Sequence, residues 1–98
     1  MDVELTAILT ARQEALARVR RVLIERLRVP LEPEQIDPDA PLFGTGLGLD
    51  SVDAVELVVA LETELDTRFP DGSVGPSTFR TVQSLVELVL DPPKEGAR

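Results

Sequence analysis

A chain of 98 residues with 18 acids, 10 bases, no Cys and no His suits one small domain with a single core, and it excludes a disulfide framework, a zinc–thiolate site and a thiol nucleophile. The net charge of −8 opposes nucleic-acid binding. No run approaches the ~18 apolar residues of a membrane span, and Met1 does not lead through a basic stretch into an apolar signal segment, so a soluble, cytoplasmic protein is expected.

With three Phe and no Trp or Tyr, the core must come from Leu, Val, Ile and Ala around Phe43, Phe69 and Phe79, which points to helices rather than a β-rich fold. The charge is uneven along the chain. Residues 1–29 carry six arginines against four acids, whereas residues 30–79 carry one base, Arg68, against eleven acids.

From Val3 to about Leu27 there is neither Gly nor Pro, and Leu5, Ile8, Leu9, Leu16, Val19, Leu23 and Leu27 recur at helical spacing. A long amphipathic helix is expected, stopping ahead of Pro30 because a residue before proline avoids helical geometry. Its first half has three courses open: to prolong the helix beyond the bundle, to fold back, or to fray. If it stays helical, Leu5, Ile8 and Leu9 need cover, and self-association is one way to supply it.

Pro30 to Thr45 reads as a long loop, since Pro30, Pro33, Pro38 and Pro41 block regular structure. Ile36, Leu42 and Phe43 are the expected plugs into the core. Gly44-Thr45-Gly46-Leu47-Gly48 has a dinucleotide-loop look, but no strand precedes it and no βαβ unit surrounds it, so its glycines serve a turn.

The turn feeds Leu49-Asp50-Ser51-Val52-Asp53-Ala54-Val55-Glu56-Leu57-Val58-Val59-Ala60-Leu61-Glu62. Asp50 is placed to be the N-cap, with Asp53 adding negative charge near the positive end of the helix dipole. Ser51 then takes the first helical position, with its hydroxyl exposed where free N–H groups favour an added phosphate. At 100° per residue, Ala54, Leu57, Val58, Leu61 and Leu65 form a core stripe. Val52, Val55 and Val59 gather on nearly the opposite face, flanked by Asp53, Glu56, Glu62 and Asp66. Such a strip suits docking of basic partners. A helix buried on two sides, or three valines without a role, would give the same pattern.

This helix should end near Asp66 to Arg68, before Pro70. Asp71 to Pro76 is a turn-rich link, and Ser77 to Phe79 is read as one short helical turn. Thr81 can cap a last helix with Val82, Leu85, Val86 and Val89 inward. Asp91-Pro92-Pro93 terminates it, and a disordered tail is expected over residues 92–98.

The pattern Gly48-Leu49-Asp50-Ser51-Val52-Asp53-Ala54-Val55-Glu56-Leu57 resembles the attachment site of acyl carrier proteins. The likeness extends through Asp37-Pro38-Asp39-Ala40-Pro41-Leu42-Phe43, Leu61-Glu62, Phe69-Pro70-Asp71 and Thr81-Val82, covering roughly Ala15 to Leu90. It implies an all-α, small four-helix bundle: three main helices plus one short helix, with a long loop between the first and second. Residues 15–91 would be the carrier domain and residues 1–14 a helical extension.

The resemblance also implies that Ser51, beside Asp50, carries 4′-phosphopantetheine installed from coenzyme A by a phosphopantetheinyl transferase. Acyl or polyketide intermediates would ride on it as thioesters, and ligases, synthases or acyltransferases would meet the second helix through Val52, Asp53, Val55, Glu56, Val59 and Glu62. A monomer is implied. Val52 departs from the larger Leu or Met usual there. A peptidyl or aryl carrier, or an acidic interaction module that never receives the arm, are the alternatives.

Catalysis by the chain itself is not expected. Ser51 lacks a histidine base and a G-x-S-x-G elbow. Asp50, Asp53 and Glu56 lack the spacing of a calcium loop, so no metal is expected either.

Overall fold

The computed structural model describes residues 2–93. Three α-helices occur among them: α1 (Val3–Glu25), α2 (Ser51–Leu65) and α3 (Val82–Leu90), with a single 3₁₀ turn at Pro33–Gln35 between α1 and α2. The all-α class and the long first loop are as expected. The fourth element differs.

Ser77 to Phe79 make turns rather than a helix, with Thr78 N–H donating to Gly75 O (2.9 Å) and Phe79 N–H to Pro76 O (3.3 Å). The chain must straighten immediately afterwards. Leu42 N–H donates to Arg80 O (3.0 Å) and Val82 N–H to Ala40 O (3.1 Å), and these bonds draw residues 80–82 alongside the first loop before a helical turn can grow. The short helical piece lies instead at Pro33–Gln35, where Glu32 N–H donates to the Gln35 side chain (2.8 Å) and Pro33 fills the first position, which needs no N–H.

α1 starts at the Asp2 cap, whose carboxylate accepts the Glu4 N–H (2.9 Å). Of the three courses open to its first half, the continuous helix is the one observed. Burial begins only at Ala15, and Val19, Val22 and Leu23 follow inward. The helix ends at Glu25, short of Leu27, because Arg28 adopts a left-handed conformation (φ 62°). That turn sends the Leu27 N–H back to Val22 O and the Val29 N–H to Leu23 O, so Leu27 and Val29 both reach the core although neither is helical.

α1 packs chiefly on α3 and more lightly on α2. Leu23, Ile36, Leu42, Leu57, Leu61 and Leu85 are the large fully buried side chains. Ile36 and Leu42 thus plug the first loop into the core as expected, while Phe43 is only half-buried. The loop is further held by Arg20, whose guanidinium donates twice to Ile36 O (3.1 and 2.8 Å). α3 begins at Thr81, which exchanges bonds with Ser84, and its Val82, Leu85, Val86, Leu88 and Val89 are buried. The tail expected over residues 92–98 lies, from residue 94 onward, outside the described residues.

Candidate functional site

The turn before α2 is built by its glycines. Gly48 adopts φ 78°, a left-handed conformation that side chains disfavour. At Gly46 an added Cβ would collide with the Pro41 carbonyl, the same oxygen that accepts the Leu47 N–H (2.9 Å). Leu49 N–H donates to Leu42 O (3.1 Å) and its side chain is buried. The segment immediately before α2 is therefore fixed by backbone bonds on one side and core packing on the other.

Asp50 has extended backbone (φ −119°) and its carboxylate accepts the Asp53 N–H (2.9 Å). Asp53 returns the favour, accepting the Asp50 N–H (2.9 Å), which closes a reciprocal capping box. The Asp53 N–H bond, foremost, holds the Asp50 carboxyl below its usual pKa. A carboxyl lowered in the folded state contributes its stabilisation above the unfolded pKa and loses it as pH falls through the folded value. The cap is therefore intact at neutral pH and weakens only in strong acid.

Ser51 opens α2, exposed, and its hydroxyl takes no part in the bonds of the box. The Asp50 cap is as expected. Because it occupies the Asp53 N–H, the free N–H groups at this helix end are fewer than four, and the exposed hydroxyl is the feature that remains fully available.

The two faces of α2 separate as expected. Leu57 and Leu61 are buried, and Ala54, Val58 and Leu65 are half-buried. Val52, Val55 and Val59 keep 73%, 66% and 52% of their surface, too much for a helix buried on two sides. Glu56 beside them is exposed. Of the other three expected flanking acids, Asp53 is half-buried in the capping box, Glu62, also half-buried, accepts the Phe69 N–H (2.8 Å), and Asp66 is exposed as the left-handed C-cap of α2.

Three features escaped sequence reasoning. Ala60 is buried outside the core stripe, where a small side chain lets a neighbour approach. Glu64 accepts from Arg18 (2.9 Å) and Arg21 (2.6 Å) and so ties α2 to α1. A cleft of about 560 Å³ opens beside the first turn of α2, lined by Pro41, Phe43, Ala54, Pro76, Phe79, Arg80 and Thr81. The i, i+3 spacing of Arg18 and Arg21 was the only available signal for the second, and the third joins segments far apart in sequence.

The family model for the phosphopantetheine attachment site matches residues 17–89. The chain belongs to this family. Its members carry covalently attached 4′-phosphopantetheine and are carriers rather than catalysts. The match spans the end of α1, the plugged loop, α2 and α3, and it leaves out the exposed first half of α1. An exposed serine hydroxyl on a capped helix start is a chemically suitable acceptor for a phosphodiester. Among the described residues, no helix of this carrier is long and apolar enough to cross a membrane.

Proposed function

We propose that this carrier is an acyl carrier protein and that Ser51 is its attachment residue. The supporting observation is the exposed Ser51 hydroxyl at the first position of α2, held by the Asp50–Asp53 box within the matched region. A phosphopantetheinyl transferase supplies the base and the coenzyme A. The Ser51 oxygen forms a bond to the phosphorus that bears the pantetheine, the nucleotide leaves, and the hydroxyl proton passes to the transferase. Once attached, the group supplies the thiol that bears acyl or polyketide cargo as a thioester.

The chain's own contribution is placement. The capping box fixes the backbone from which the Ser51 side chain leaves the helix, and the exposed Val52, Val55 and Val59 with Glu56 form the adjoining face on which loading and processing enzymes dock. Asp50 and Asp53 act as positioning residues, since their carboxylates are spent on the backbone. Glu62 contributes to the face chiefly through its half-buried stem while its carboxylate holds Phe69.

Incubation with a broad-specificity transferase and coenzyme A should raise the intact mass by one phosphopantetheine, and Ser51→Ala should abolish the gain with an unchanged circular dichroism spectrum. Modification that persists in Ser51→Ala refutes the assignment. Loading of the modified protein with acyl, aryl and aminoacyl ligases then tells an acyl carrier from an aryl or peptidyl one.

A further inference from the structure

Among the described residues, nothing packs over the apolar side chains in the first half of α1. Leu5, Ile8 and Leu9 retain 49%, 55% and 49% of their surface, and at 100° per residue they fall with Arg12 within an arc of about 100°. The twelve residues Val3–Glu14 precede the first buried position, Ala15, and at 1.5 Å per residue they extend for about 18 Å. This arc continues the direction of the core stripe Val19 and Leu23, so the apolar face of α1 runs on past the end of the core that covers it.

We propose that this face pairs with the same face of a second copy, as antiparallel helices related by a two-fold axis at Ile8. Charge selects the second copy and the direction. With Ile8 at the axis, Glu4 of one copy lies level with Arg12 of the other, at both ends of the patch. A parallel arrangement would set Glu4 beside Glu4 and Arg12 beside Arg12. Arg12 is already steadied there by Glu87 on α3 (2.9 and 3.4 Å), so one guanidinium would bridge two carboxylates.

Side-chain spacing agrees with the charges. Leu5 and Leu9 lie side by side in the arc, and the two-fold places Leu9 of the partner copy between them and Leu5 of the partner copy just beyond Leu9, so the four leucines interleave while the two Ile8 side chains meet at the axis. Size sets the strength. Two helices about 18 Å long and 10–12 Å wide bury less than the roughly 1,200 Å² at which stable interfaces begin, so the pairing is weak and concentration-dependent. The carrier body is thus monomeric when dilute, as the resemblance implies, and pairs when concentrated.

Sedimentation equilibrium on the full chain from micromolar to millimolar concentration reads this directly. The weight-average mass should climb towards twice the chain mass. Ile8→Glu, which places like charges on the axis, should raise the apparent dissociation constant by at least about tenfold. Glu4→Arg and Arg12→Glu should each weaken pairing, and the double variant Glu4→Arg/Arg12→Glu should restore it, a rescue that general stickiness would not give. All three positions are exposed, so circular dichroism should show the fold retained. A mass that stays monomeric across the whole range overturns the proposal and leaves the face to a different protein. Association that is unchanged in Ile8→Glu, or weakened without rescue in the double variant, also overturns it.

Discussion

Glu64 gathers Arg18 and Arg21 on one carboxylate oxygen, and Arg18 reaches on to the Glu64 carbonyl (3.0 Å). Because α1 and α2 touch only lightly, this junction matters more to their relative placement than a surface pair ordinarily would. Glu64→Ala should lower stability by about 1–2 kcal/mol, between the ~0.2–1 kcal/mol of exposed ion pairs and the ~1.5–3 kcal/mol of hydrogen bonds to charged groups, because the two arginines are partly exposed, and a urea melt followed by circular dichroism measures it. An unchanged midpoint would mean that the two arginines are held equally well by water. The contrast with Asp50, Thr81 and Ser51 explains what was legible at this scale. Caps are bonds between a side chain and a backbone group two or three residues away, so residue type and order suffice to read them. Glu64 meets arginines 43 and 46 residues away, and no local pattern announces such a meeting.

Among the elements, α2 presents two unlike faces, one buried and one exposed. Leu57 is fully buried, and Leu57→Ala should cost on the order of 2–5 kcal/mol through lost burial and a residual cavity. Val55→Ala and Val59→Ala should change stability by only about 0.5 kcal/mol while weakening association with the transferase. Melts of the three variants beside a transferase assay decide the matter. If the valine variants unfold as readily as Leu57→Ala, the second stripe belongs to the core. The three long helices were legible because period and caps agree. The end of α2 falls at the left-handed Asp66 (φ 52°), where it was expected, whereas α1 stops at Glu25 through the left-handed Arg28, a residue that does not advertise that conformation as glycine does. Ser77 to Phe79 has helical-turn composition, but the bonds from Leu42 and Val82 to the neighbouring strand-like segments decide its shape.

Over the whole molecule, the uneven charge in the sequence is sharpened by folding. Arg12, Arg18, Arg20 and Arg21 of α1 are each engaged, with Glu87, Glu64, the Ile36 carbonyl and Glu64 respectively, and of the eleven acids between residues 30 and 79 only Glu64 receives an arginine in an ion pair among the described residues. The acidic field around Ser51 is therefore left largely uncompensated, as the proposed docking of basic enzymes requires. Glu56 is the clean probe of it, being exposed beside the valines, whereas changing Glu62 would also release the Phe69 N–H and confuse binding with stability. Glu56→Lys should slow association with a basic transferase by roughly threefold to tenfold at low salt, and the gap to the unaltered protein should close as ionic strength shortens the screening length to about 8 Å. Stopped-flow association rates across a salt series measure both. Equal rates at low salt would mean that the shape of the valine face, without its charge, brings the enzymes to Ser51.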